Sequence, residues 1–341
     1  MRAAYLVAPG HVELREELIP APEAGGAVVR VRVALTDGTD LKAFRRGHPQ
    51  MPLPTRFGHE FSGDVVAVGA GVENFAAGDP LLSVHSAPCG ACYWCLHREE
   101  ELCEHVMATK ILGAYAEYVA IPPHILNLNA FHKPANLSYE AGAFLEPLAC
   151  VVHSLRMLDL APDAAFGIVG DGGFGILHAL VARAFGIAQP VLVGRRSERL
   201  ALARSLGVAR TIDARELDAS VAIAALTEGR GLDAVLESTG TQAVWESAPR
   251  LVRRGGTVSL FGGLPGGTQV TFDAARLHYD EVRVISPFHF TPRDVREAFE
   301  LLANGSVDVE PLISERFALE RVGDAFASLD AGHGVKYAIV P

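Results

Sequence analysis

The run Gly170-Asp171-Gly172-Gly173-Phe174-Gly175 constrains this chain more than any other feature of its sequence. It follows the apolar run 166–169 and opens the apolar stretch 176–185, so it reads as a strand, a tight turn and a helix. In such a turn the first glycine permits the bend, the second lets a diphosphate approach the backbone, and the third lets helix and strand pack closely. The helix start then offers unpaired N–H groups and a dipole suited to anions. The plain alternative is a glycine-rich turn with no ligand, and the pattern that follows weighs against it. Short apolar runs at 166–169, 191–193, 211–212, 234–236, 258–261 and 282–285 alternate with helical stretches such as 197–206 and 241–253. Six such runs predict a doubly wound parallel sheet of the α/β class.

A dinucleotide with free ribose hydroxyls calls for an Asp or Glu about 20 residues further on, at the end of the second strand. Gly194 stands there, followed by Arg195 and Arg196. A glycine removes the repulsion a carboxylate would exert, and two guanidinium groups suit a 2′-phosphate. The expected cofactor is therefore NADP(H) in preference to NAD(H), bound by Gly170, Gly172, Gly173, Phe174, Gly175, Gly194, Arg195 and Arg196. The plain reading of the two arginines is solvated residues at the start of the helix 197–206.

The 341 residues suggest two domains at roughly 150 residues each. The first 125 residues hold alternating segments at 27–33, 65–68, 81–84 and 115–121, and predict a compact β domain. Residues 139–158 read as helical. After Pro287 come a helix at 292–304, a strand near 312–317, a helix at 319–330 and a strand at 336–340. That tail is short for a domain, so the expected division is 1–150 with 288–341 against 151–287. A formal net charge of -10 argues against a nucleic-acid partner. No run of about 18 apolar residues predicts a membrane span, and the N-terminal stretch ends at Pro9-Gly10 without the pattern of a signal peptide. A cytoplasmic location is expected.

Cys89, Cys92, Cys95 and Cys103 fall within fifteen residues, and only Cys150 stands apart, in a stretch expected to be a helix starting after Pro147. Four soft ligands at this spacing suit a closed, tetrahedral structural zinc site in a lobe at about 86–106. A reactive thiol cluster or an iron-sulfur centre is the alternative. Cys150 is expected to be a small core residue. A second set is spread out: Asp37-Gly38-Thr39-Asp40 after one strand, His59-Glu60 opening another, and Glu146 in Phe144-Leu145-Glu146-Pro147-Leu148. Singly these read as a turn former, a buried hydrogen-bonded histidine and a helix-start carboxylate.

Taken together, residues 37–41, 58–69, the four-cysteine lobe, 113–119, 146–149 and the glycine run resemble the zinc-dependent medium-chain dehydrogenases of the sorbitol, threonine and glucose dehydrogenase branch, over essentially the full length. The resemblance implies a GroES-like β-rich catalytic domain beside the Rossmann domain. It also implies a catalytic zinc held by Asp37, His59 and Glu146, with Glu60 as an alternate ligand. Cysteine is usual where this chain has Asp37, and carboxylate oxygen is an acceptable zinc ligand. By the same resemblance Thr39 relays the substrate proton and Asp40 orients His59. Lys42 stands where many members carry a relay histidine.

The implied activity is reversible hydride transfer between NADP(H) and a small secondary alcohol, polyol or sugar, by a homodimer or homotetramer. The alternatives are a silent or zinc-independent NADPH-binding protein, or an amino-alcohol dehydrogenase. Arg45, Arg46 and His48 raise the further expectation of an anionic substrate. The apolar run 256–263 is a candidate edge strand for subunit pairing.

Overall fold

Alternation in the strand Ala27–Leu35 leaves Arg30 and Arg32 outward and buries its valines. That strand is the spine of the first unit in a computed structural model that describes residues 1–49 and 51–341. Glu60–Val68 pairs antiparallel along its length, and Tyr118–Ile121 pairs with its first half. The sheet runs in the order Ile313–Ala318, Lys336–Val340, Ala27–Leu35, Glu60–Val68, Pro80–Ser83 and Ala130–His132. A smaller sheet joins His11–Glu16, Arg2–Ala8 and Thr55–Arg56. Between them lies a core in which the Phe57 and Phe326 ring centroids are 4.8 Å apart and Tyr115 meets Phe57 edge-on. Each such fully buried aromatic side chain contributes about 2–3 kcal/mol of transfer free energy.

The C-terminal strand Lys336–Val340 pairs antiparallel with Ala27–Leu35 through Ala338 with Leu35 and Ile339 with Ala34. This register places Lys336 just beyond Leu35, beside Thr36 and Glu60. The first unit comprises Met1–Ala149 and Phe290–Pro341, and the second Cys150–His289.

The second unit has a six-stranded parallel sheet in the order Arg210–Asp213, Val191–Gly194, Phe166–Val169, Leu232–Glu237, Val252–Leu260 and Arg283–Ile285. The first strand in sequence lies at the centre, and the order reverses around it. Nucleotides bind at such a switch point in open α/β sheets.

Several boundaries differ from the sequence reading, each for a local reason. The strand expected at 115–121 begins at Tyr118, because Ala114, Tyr115 and Ala116 are all buried and break the alternation. Residues 139–158 form two helices, Tyr139–Gly142 and Leu145–Leu158. The second starts before Pro147, whose missing N–H costs nothing in a first turn. The helix expected at 241–253 is Gln242–Ser247 followed by a 3-10 turn, Ala248–Arg250, at Pro249. The strand Val252–Leu260 is paired on both sides, so the run 256–263 is no edge; that position belongs to Arg283–Ile285. Cys150 is half-buried rather than a core residue. No helix among the described residues is long and apolar enough to cross a membrane.

Candidate functional site

Asp37 ends the turn after Ala27–Leu35 and caps the helix Gly38–Arg46, its Oδ2 accepting from the Thr39 N–H at 2.5 Å. His59 leads into Glu60–Val68 from Gly58. A side chain at Gly58 would lie 2.8 Å from the Tyr115 ring, and φ is +90° there. The result is that Asp37, His59 and Glu60, all buried, bring ligand atoms within 4.8 Å of one another. His59 Nε2 stands 3.8 Å from Asp37 Oδ2, while Nδ1 lies 3.1 Å from Asp40 Oδ1. With Nδ1–H donated to Asp40, the Nε2 lone pair is left for a cation. Asp40 is fixed in turn by the Tyr115 hydroxyl, 2.7 Å from its Oδ2.

Glu146, in the helix Leu145–Leu158, faces the same region through His85, whose Nδ1 is 3.4 Å from its Oε1. The His85 and His59 rings meet edge to face at 4.9 Å. Glu60 Oε2 accepts from the Lys336 ammonium, which also donates to Thr36 O at 2.7 Å.

Among the described residues, Asp37, Asp40, Glu60 and Glu146 are thus buried with one fixed cation, Lys336, and the imidazoles His59 and His85. Four potential negative charges against one ammonium is an imbalance that a low-dielectric site does not tolerate. The titrations reflect it. Burial pushes Glu146 up to about 7 against the pull of His59. Burial also lifts Glu60 well above the usual carboxylate range, with Lys336 opposing. For Asp37, burial acts upward but Lys336, His59 and two backbone N–H groups outweigh it, and its carboxyl lies below the usual value. For His59, burial acts downward and Asp40 overrides it, so the imidazole is well above its ordinary value. Two carboxylate oxygens, Asp37 Oδ1 and Glu60 Oε1, are buried with no hydrogen-bond partner. Orphaned carboxylate oxygens beside a histidine nitrogen are donors that could hold a divalent metal ion.

The cysteine lobe forms a second cluster. Its four sulfurs all lie within 4.8 Å of one another, with Cys92 to Cys95 at 3.5 Å and Cys89 to Cys95 at 3.9 Å. A tetrahedral zinc with bonds of ~2.3 Å would set them about 3.8 Å apart. Backbone N–H groups of Cys89 and His105 point at Cys103 Sγ, and those of Ala91 and Cys92 at Cys89 Sγ. The backbone N–H of Cys95 leads in pulling the Cys92 thiol down to about 6, while burial and the neighbouring sulfurs push Cys95 up to about 12. Four thiolates do not coexist there at neutral pH without a cation to displace the last protons.

In the second unit, Gly170 has φ +125° and Gly175 could carry no Cβ, which would lie 1.8 Å from Gly170 O. The helix Gly173–Ala184 starts at Gly172 with no side chain capping it, leaving its N–H groups free for a phosphate. The Phe174 ring packs on Phe261 at 4.9 Å.

The expectation for Gly194 needs correction. Its own side chain is absent, but the space is filled by the Asp171 carboxylate, 2.5 Å from where a Cβ at 194 would stand. Asp171 Oδ2 accepts from the N–H groups of Arg195 at 2.8 Å and Arg196 at 2.7 Å. Negative charge is therefore present at the end of the second strand, supplied from the first turn. Both arginine side chains are exposed.

Of the other expected residues, Thr39 and Lys42 are half-buried on the helix Gly38–Arg46. Arg45 pairs with Asp330 at the surface. Burial, with Lys110, Lys42 and Arg46, holds His48 below its usual value. The sequence reading missed Lys336, His85, Tyr115 and Asp171. Only Asp171 left a signal, an acidic residue inside the glycine run itself.

Known proteins match along the whole chain. A family model described as an alcohol dehydrogenase GroES-like domain matches residues 23–129, and one described as a zinc-binding dehydrogenase matches residues 173–304. Sorbitol dehydrogenase of Bacillus subtilis (strain 168) is 30% identical over 92% of this chain and 89% of its own. D-arabitol-phosphate dehydrogenase of Enterococcus avium is 30% identical over 99% and 97%. The structure of a zinc-binding dehydrogenase from Sinorhizobium meliloti 1021 bound to NADP superposes with a TM-score of 0.91 at 30% identity, covering 100% of this chain and 99% of that one.

Proposed function

The chain belongs to the zinc-type medium-chain dehydrogenase family, and from that premise we propose that it oxidises a secondary alcohol, polyol or sugar reversibly, with NADP(H) preferred to NAD(H). The observation that carries this reading is the pair of orphaned oxygens, Asp37 Oδ1 and Glu60 Oε1, beside His59 in a buried cluster short of positive charge. Asp37, His59 and Glu146 would hold a catalytic zinc, with Glu60 as the alternate ligand. A zinc ion so held supplies Lewis acidity that lowers the pKa of an alcohol.

The chain's own residues do the rest. Asp40 keeps the His59 ring in one orientation and one tautomer, with Tyr115 behind it. Lys336 neutralises part of the carboxylate charge and ties Glu60 to the backbone at Thr36. Thr39 is adjacent to the cap of the same helix and in this reading accepts a hydrogen bond from the substrate hydroxyl and relays its proton outward to solvent. In the second unit the Gly170–Gly175 turn and the uncapped helix start would hold the cofactor diphosphate, and Arg195 with Arg196 would hold a 2′-phosphate. Cys89, Cys92, Cys95 and Cys103 would hold a structural zinc with no open position.

The full-length sorbitol and arabitol-phosphate dehydrogenase relatives support this substrate class. A panel of polyols, polyol phosphates, sugars and secondary alcohols, assayed with NAD+ and NADP+ with and without added zinc, tests it directly. NADP+ reduction by at least one polyol is expected, together with two zinc ions per chain. No reduction by any alcohol, or one zinc per chain, would favour a silent NADPH-binding protein instead.

A further inference from the structure

Gly194, Arg195 and Arg196 favour NADP(H) at the end of the second strand. The structure adds a third party. Asp171 is the variable residue between the first two glycines of the fingerprint, and its carboxylate reaches across to the end of the strand Val191–Gly194. One oxygen, Oδ2, takes both N–H groups of Arg195 and Arg196. The other, Oδ1, takes no hydrogen bond among the described residues. Gly194 and Asp171 interlock: a Cβ at 194 would lie 2.6 Å from that of Asp171, so an acid in the strand itself and this carboxylate exclude each other. The nearby Arg215 guanidinium is already paired with Asp213, so it does not neutralise Asp171 by contact.

We propose that Asp171 is the ribose-hydroxyl acceptor of this chain and the residue that limits its NADP(H) preference. In dinucleotide folds the acid that accepts from the ribose hydroxyls comes from the end of the second strand. Here that end is a glycine, and a carboxylate anchored by two backbone N–H groups occupies its place, with one oxygen left to accept. A 2′-hydroxyl is a donor to that oxygen, whereas a 2′-phosphate is a like charge beside it. Arg195 and Arg196 favour the phosphate and Asp171 opposes it, so the chain binds both cofactors.

This deepens the cofactor assignment made above, and its test does not need an alcohol. Dissociation constants for NADH and NADPH are measured on the zinc-loaded full chain by quenching of protein fluorescence. Wild-type affinities within about a hundredfold of each other are expected. Asp171→Asn keeps an oxygen for the two N–H groups and removes only the charge. It should weaken NADH and strengthen NADPH, moving their ratio by about tenfold or more, the worth of one charge-assisted hydrogen bond.

Arg195→Ala, which leaves Asp171 in place, should move the ratio in the opposite direction and provides a reading independent of how well the first variant folds. A merely structural role for Asp171 would weaken both cofactors by the same factor. That result, an unchanged ratio, or a wild type that binds NADPH and not NADH would overturn the proposal. Absence of alcohol turnover with the expected ratio shift would overturn the dehydrogenase reading and leave this one standing.

Discussion

Asp37 uses its two oxygens differently: Oδ2 caps the helix Gly38–Arg46 at Thr39 N–H, and Oδ1 is buried without a partner. Asn caps helices as well as Asp does, so Asp37→Asn separates the two functions. The variant should fold, bind one zinc per chain instead of two, and lose roughly a hundredfold or more in turnover. Metal analysis beside a thermal melt checks this, and two retained zinc ions would remove Asp37 from the ligand set. Asp40→Asn should act one step back, lowering catalytic-metal affinity about 10- to 100-fold by loosening His59.

His178 gives a stability prediction at the same scale. It is fully buried, with Nε2 2.6 Å from Ser154 Oγ and Nδ1 2.7 Å from Phe174 O, and burial pushes its pKa down to about 4 from 6.5. A depressed folded pKa means that the unfolded chain binds the extra proton. The contribution is intact above about pH 6.5 and is lost as pH falls toward 4, reaching about 3 kcal/mol. Urea midpoints from pH 7.5 to 4.5 should fall more steeply for the wild type than for His178→Gln. Parallel slopes would mean that His178 is not the group responsible.

At the scale of elements, the glycine run and the cysteine lobe were legible because all their chemistry is local. A turn in which a Cβ at Gly175 would lie 1.8 Å from Gly170 O admits only glycine, and four thiols spaced for one ion need no distant partner. Gly175→Ala should therefore displace the turn and weaken NADPH binding about ten- to a hundredfold, with the far-ultraviolet circular dichroism unchanged. Full affinity in that variant would show that the turn tolerates the methyl group.

The distributed site was legible only through resemblance, since Asp37, His59 and Glu146 lie on separate elements. Lys336 was not legible at all: its place beside Glu60 follows from the register of Lys336–Val340 on Ala27–Leu35, a pairing across three hundred residues. Asp171 was hidden by the opposite cause. It sits inside a motif that treats its position as variable, and its meaning depends on Gly194 one strand away.

At the scale of the whole molecule, both clusters that could hold a metal among the described residues lie in the unit formed by Met1–Ala149 with Phe290–Pro341, and the glycine fingerprint lies in Cys150–His289. Each ligand then stabilises the segments that hold it, by an amount set by its concentration over its dissociation constant. Hydrogen exchange resolves this along the chain, because local openings report local stability. Removing zinc with a strong chelator should speed exchange at 37–60 and 89–105, where the ligands and their N–H donors sit, and leave the strands Phe166–Val169 and Val191–Gly194 at their original rates. Adding NADPH to the metal-free chain should slow exchange at 170–176 and at Arg195 and Arg196, whose N–H groups already bond Asp171. Two patterns would count against this division. Chelation that accelerated 166–194 as strongly as 89–105 would mean that the metals hold up both units. Protection by NADPH confined to 37–60 would place the cofactor on the wrong unit altogether.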